Sequence, residues 1–361
     1  MDKKDELLLL IAISGELPAD WIGKAAGSES YGAVLLTRLK KEGLIKLRSK
    51  DGIRGYLLRS KGKGEVQKNY SEVAELYLTG SSSTNHVKSE PEKRLRLHRM
   101  SMVWVYFYRA GIRVFPGEKQ PLFPALHPPL QKKQEGDFEN TSCYYGTMEW
   151  KLPTDMEIKG SRVCGVLAAD SAYLVYNSMD SLMRWTPKIE RNVKSRIEFR
   201  FLRYDGRKLS GAILTGIGME VLSRLLSSDG GIKGNLFRVD DVFERIYYLP
   251  LIEEARLQLR LLCDLEALTR FLRFLNSNLK QRAENPLEQE AGRDLSGRRV
   301  YYCFLLELWQ LKRILMRRKE PGDRIFCFTY QAQILRELFG GGISIEAIRP
   351  EKVKKYLGWD C

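Results

Sequence analysis

The sequence predicts an α/β protein in two parts, a small N-terminal module and a larger body, and three observations predict it. Residues 34–64, VLLTRLKKEGLIKLRSKDGIRGYLLRSKGKG, read as an amphipathic helix, a glycine stop and two short strands joined by a turn. That order is the layout of a winged helix-turn-helix. From about Met148 the pattern changes to alternating strand-like and helix-like runs, as expected of an α/β domain around a central, mostly parallel sheet. Between them TGSSSTNHVKSEPE is polar and serine-rich, the composition of a linker. The expected organisation is a winged module over 1–78, a linker over 79–93 and an α/β domain over 94–361. With 361 residues, 43% of them hydrophobic, the chain has the length for two domains and the material for a real core.

Each element follows from local chemistry. Residues 3–14 predict a first helix; its apolar run Leu7–Ile13 is too short to span a bilayer, and the acids of MDKKDE spoil a signal-peptide start. Pro18 opens a second helix to about Ala26. Ser28 or Ser30 caps a third over about 30–42, which Gly43 ends. Tyr31, Leu35 and Leu39 share one face of it and are expected inward, which turns Ser30, Ala33, Thr37, Arg38 and Lys41 outward. LIKLRSK and GYLLRSK are the wing strands, joined by Asp51-Gly52-Ile53-Arg54-Gly55, and GEVQKNYSEVAELYL reads as one further helix ending near Leu78.

After the linker, EKRLRLHRMSMVWVYFYRAG predicts a long helix closed by Gly111, and Pro116, Pro121, Pro124, Pro128 and Pro129 make 116–142 irregular. RVCGVLAA and AYLVYN flank Asp170-Ser171 as a β-hairpin, and PKIERNVKSRIEFRFLRY is a helix with a basic face. GAILTG and MEVLSRLLSS form a strand and a helix; RIYYLPL is a strand followed by helices at 253–263 and 264–276. Residues 277–298 read as a long polar loop, after which VYYCFLLEL, LKRILMRRK, DRIFCFTY and QAQILRELFG repeat strand and helix.

Charge narrows the function. A net charge of +15 and a pI near 9.4 suggest a polyanionic partner, nucleic acid ahead of a membrane. The excess peaks in residues 34–64, where ten basic residues face two acids, Glu42 and Asp51. A surface of that kind suits a DNA backbone, because neutralised phosphates supply most sequence-independent affinity. The candidate contacts are Ser30, Thr37, Arg38 and Lys41 on the third helix, with Arg48, Lys50 and Arg54 on the wing. Further basic runs at Lys93, Arg94, Arg96 and Arg99, at 184–208, and at Lys312, Arg313, Arg317, Arg318 and Lys319 read singly as solvated helix faces and together permit a longer footprint.

Six scattered cysteines without a CxxC pair argue for reduced thiols in a cytoplasmic protein and against a zinc site; no stretch approaches transmembrane length. Three histidines (His86, His98, His127) provide no His-x-His metal pair, and there is neither a phosphate-binding GxxxxGK[ST] nor a GxSxG elbow. His98 reads as half-buried, and most of the tyrosines as sheet and core packing. Metal-dependent nuclease chemistry needs acids for Mg²⁺ and a lysine for water. Glu149-Trp150-Lys151 and Glu157-Ile158-Lys159, the second near Asp155, have that form, although about two such triplets are expected by chance in this composition. Asp155, Glu157 and Lys159 are the candidate catalytic set; no cofactor is expected beyond the Mg²⁺ that a nuclease would need.

The stretch LLTRLKKEGLIKLRSKDGIRGYLLRSKGKGEV, followed by RLRLHRMSMVWVYFYRAGI, resembles the winged-helix start of plasmid replication-relaxation proteins from Gram-positive mobile elements. The resemblance covers roughly residues 1–115; over 150–361 it is one of architecture. It implies a winged helix joined to an α/β, often nuclease-like, domain, of which a restriction-endonuclease-like body is one form. It implies a DNA-binding protein of a plasmid or conjugative element acting in replication, relaxation or transfer, with double-stranded DNA as partner and a homodimer or transfer-machinery proteins as further partners. Two other readings stand beside it: a transcriptional regulator whose α/β domain senses a ligand or dimerises, and a metal-dependent nuclease.

Overall fold

The computed structural model describes residues 1–79, 86–123, 142–151, 159–317 and 322–359. It is a mixed α/β structure whose sheets contain both parallel and antiparallel pairs. By internal contact the chain divides into two compact units. One comprises Met1–Ile158, Val163–Ala168 and Arg200–Gly206; the other comprises Lys159–Arg162, Ala169–Phe199 and Arg207–Cys361.

The first unit is built on α1 (Lys3–Ser14), in which every residue from Leu7 to Ser14 is buried, so the helix is a core rod rather than a surface element. Asp2 caps it and Gly15, at φ 70, ends it. The sequence places helix two at Pro18. Instead Leu17–Pro18 forms strand β1, because Leu17 and Pro18 pair with Tyr56 and Gly55; a single 3-10 turn (Ala19–Trp21) then leads to α2 (Ile22–Ala26).

Helix α3 (Glu29–Lys41) is capped by Ser28, which accepts from the Tyr31 amide at 3.2 Å. It ends at Gly43, whose φ of 72 lets the Leu44 amide reach back to the Leu39 carbonyl. Strands β2 (Ile45–Lys50) and β3 (Ile53–Leu58) follow, in a sheet of order β1-β3-β2. The turn is shorter than the sequence suggests. Lys50 pairs with Ile53, and Asp51 and Gly52 alone make the bend with φ of 54 and 71, the left-handed pair that a two-residue hairpin turn requires. Arg54 therefore lies on β3, opposite Ser49, and not in the turn.

The helix expected over 64–78 is two helices, α4 (Ser60–Asn69) and α5 (Ser71–Tyr77), broken at Tyr70, whose ψ of 66 is not helical. α6 (Pro91–Arg109) begins on its proline and closes before Gly111, as expected. β4 (Cys143–Gly146) and β5 (Val163–Ala168) pair antiparallel, with the short α7 (Thr147–Lys151) after β4. Trp104 of α6 meets Tyr144 of β4 edge-on at 4.8 Å, and Phe107 meets it at 4.9 Å.

The second unit carries β6 (Ala172–Asn177), β7 (Leu209–Gly216) and β8 (Ile246–Pro250), which run parallel to one another. α8 (Pro187–Tyr204), of which the residues to Phe199 count with this unit, and α9 (Glu220–Ser227) alternate with them. After α10 (Arg256–Cys263) and α11 (Leu265–Asn276) the chain enters a five-stranded sheet of order β13-β12-β11-β10-β9. Its strands are β9 (Leu279–Arg282), β10 (Gly292–Asp294), β11 (Arg299–Tyr302), β12 (Asp323–Phe328) and β13 (Ile343–Ile348), with α12 (Leu308–Met316) and α13 (Ala332–Phe339) between the last three and α14 (Pro350–Leu357) at the end. β11, β12 and β13 are parallel; β9, β10 and β11 are antiparallel.

Two differences from expectation stand out. The parallel pairs fall in separate sheets, with no single central one among the described residues. The polar segment 277–298 is also not all loop: it supplies β9 and β10, and in β9 only Leu279 is buried, so the segment has none of the apolar alternation that marks a strand.

A tight crossing fixes α3 in place. A methyl group added at Gly32 would lie 3.1 Å from the Gly23 Cα and 3.3 Å from the Ile22 carbonyl, so α2 and α3 touch backbone to backbone. Gly32→Val should destabilise the protein by about 1–3 kcal/mol through overpacking, seen as a lower urea midpoint with an unchanged m-value.

Candidate nucleic-acid interface

The buried face of α3 is formed by Gly32, Leu35 and Leu39. Tyr31, expected among them, is 43% exposed, because seating Gly32 against Gly23 rotates it out. Ser30, Thr37, Arg38 and Lys41 are all exposed, as are Ala33, Val34 and Lys40. Thr37 Oγ1 donates to the Ala33 carbonyl at 2.9 Å. Arg38 Nε donates to Glu42 at 2.9 Å in a pair one helical turn long. Such a surface pair contributes little and yields readily to a phosphate.

On the hairpin, Lys46, Lys50 and Arg54 are exposed. Arg48 is not free in the same sense: its guanidinium donates to the Lys88 carbonyl at 2.6 Å and lies 3.8 Å from Glu16.

Beneath the hairpin is a buried ionic cluster that sequence reading missed. Glu16 follows the glycine that ends α1 and is 1% exposed; Arg94, on α6, is 0% exposed. Arg94 Nε donates to both Glu16 oxygens at 3.1 and 3.0 Å, and a terminal nitrogen completes the fork. The same guanidinium donates to the carbonyls of Lys50 (2.7 Å) and Ile53 (3.0 Å), the two residues that bracket the turn. His98 Nε2 lies 3.2 Å from Glu16, and Ser101 Oγ donates to the Glu16 carbonyl at 3.0 Å.

Burial alone would raise the Glu16 carboxyl, but hydrogen bonds with His98 and Arg94 outweigh it and hold the group down at about 2. Gly55 is required here, since a side chain would meet Glu16 Cγ at 2.6 Å and His98 Nε2 at 2.9 Å. Arg94 thus leaves the basic surface to which the sequence assigned it and becomes the clamp that shapes the hairpin. Other supposed surface cations are also paired: Lys93 with Glu90, Arg191 with Asp241 and Arg317 with Glu290.

The nuclease triplets fare differently. Asp155 and Glu157 lie outside the described residues, and Lys159 is exposed. Glu149 is buried and committed. It accepts from Lys119 Nζ (2.8 Å), from the Tyr77 hydroxyl (2.9 Å) and from the Gly146 amide (2.9 Å). Lys119 also donates to the Val114 and Tyr144 carbonyls and lies over the Tyr145 ring. Burial drives its ammonium below the ordinary lysine value, against the pull of Glu149.

In the second unit Glu190 is the corresponding buried acid, raised by burial and bonded to Ser161, Tyr176 and the Arg162 amide. Glu307 caps α12 through the Trp309 and Gln310 amides. These are structural bonds within each unit. Among the described residues no helix is long and apolar enough to cross a membrane. No protein-family model matches this chain, and neither the curated proteins nor the solved structures contain a match to it.

Proposed function

We propose that the protein binds double-stranded DNA through a winged helix-turn-helix in its first unit, with α3 in the major groove and the β2–β3 hairpin along the backbone. One observation carries the reading. The outward face of α3 and the hairpin beside it in sequence present Arg38, Lys40, Lys41, Lys46, Lys50 and Arg54 to solvent, while the acids of residues 34–64 are only Glu42 and Asp51. The order α1-β1-α2-α3-β2-β3, with β3 between β1 and β2, supports the winged form. Within that reading Lys50 and Arg54 hold phosphates, Ser30, Thr37, Arg38 and Lys41 face base edges, and Arg48 shapes the wing. The resemblance of residues 1–115 extends the proposal to replication, relaxation or transfer of a plasmid or conjugative element.

The test is fluorescence anisotropy of the full chain with a random-sequence duplex across a salt series. Affinity should fall linearly on a log–log plot, and Lys50→Ala and Arg54→Ala should each weaken every sequence alike and flatten the slope by about one unit. Salt-independent binding, or no binding, would sink the reading. Mapping occupancy in the native cell then separates an origin-like region of a mobile element from promoters, which a regulator would occupy.

A further inference from the structure

Val34 is the feature that basic charge does not explain. At about 100° per residue along α3, Ser30, Val34, Arg38 and Lys41 lie within about 40° of one line, and Val34 is at its middle. It is 62% exposed, with Tyr31 exposed one turn earlier and Ala33 and Thr37 on its flank. A β-branched residue at an exposed helix position forgoes helix propensity, so local stability does not account for it. Its surroundings state what covers it. Arg38, Lys40 and Lys41 call for a polyanion, yet the centre of the face offers that polyanion a hydrocarbon. Of the four bases in a DNA major groove, thymine alone presents a methyl group there. Uracil lacks that methyl, and the deep, narrow major groove of an RNA duplex cannot be read by side chains.

We infer that Val34 is a specificity-determining residue that packs on a thymine C5-methyl in the bound DNA, so that the recognised site contains at least one thymine whose methyl group strengthens binding, a group that duplex RNA does not supply. This rests on the DNA-binding reading above, and the experiment separates the two. Duplexes that bind the full-length protein are enriched from a random pool, and each thymine of the winning site is replaced in turn by deoxyuridine, which removes one methyl group and nothing else.

At one or two positions the replacement should weaken binding about four-fold, the worth of one buried methyl. Val34→Ala, which favours the helix, should lose a similar factor on the thymine site and be indifferent to the same replacement. Lys50→Ala should bind more weakly overall and keep the penalty. A wild-type protein indifferent to every replacement, or Val34→Ala retaining the full penalty, overturns the inference and leaves DNA binding intact. Self-association that Val34→Ala abolishes would give the face to a second copy and overturn it likewise. Failure to enrich any duplex overturns the DNA reading and this inference together.

Discussion

Arg94→Met is expected to destabilise the first unit by about 3–5 kcal/mol, because it leaves the Glu16 carboxylate buried with its main partner gone. It also frees the Lys50 and Ile53 carbonyls, so the hairpin turn should lose amide-exchange protection before the rest of the unit does. Glu16→Gln combined with Arg94→Met should recover part of the loss, since the stranded charge goes with its partner. A pH series gives an independent check. Glu16 sits at about 2 in the fold against an ordinary 4.5. Its folded value is depressed, so its contribution is complete above the unfolded value and is lost as pH falls toward the folded one. Wild type should lose on the order of 3 kcal/mol between about pH 5 and pH 2 from this group, and Glu16→Gln should lack that component. An Arg94→Met protein with the wild-type urea midpoint would show that the cluster does not hold the hairpin.

What could be read from the sequence, and what could not, follows from the range of each interaction. Ser28 and Gly43 bound α3 through bonds spanning three to five residues, so its ends were visible. Asp51-Gly52 marked the hairpin for the same reason. The inward face of α3 was misjudged by part of a turn, because its closest contact is Gly32 against Gly23, and a glycine gives no hydrophobic signal. Glu16 and Arg94 are 78 residues apart in the chain, and nothing local distinguishes either from a solvated charge. The break at Tyr70 and the strands in 277–298 failed similarly: tertiary packing and sheet pairing, not composition, decide them. Of the candidate DNA contacts, the exposed ones were found by charge and periodicity. Arg48 differs from them in being tied to Lys88 and Glu16, some 40 and 32 residues away in sequence, contacts that no local pattern shows.

Glu149→Ala should be the second most damaging substitution, at about 3–5 kcal/mol, and the reason separates a structural acid from a catalytic one. The carboxylate holds the Lys119 ammonium, the Tyr77 hydroxyl and the Gly146 amide in a core closed by Trp104; removing it strands a buried cation and two donors. A metal-holding glutamate behaves in the opposite way, because its removal relieves repulsion in an open site, leaves the fold intact and abolishes turnover. The pH dependence is equally diagnostic. Without Glu149 the main opposition to the burial that lowers Lys119 is gone, so the native state binds fewer protons than the unfolded chain below the ordinary lysine value of 10.5. Stability of Glu149→Ala should therefore rise with pH toward that value, more steeply than in wild type. Lys119→Met added to Glu149→Ala should remove the rise and restore part of the midpoint. A stable Glu149→Ala protein with a flat pH profile would reopen Glu149 to chemistry; an unstable one whose loss Lys119→Met relieves assigns Glu149 to the fold.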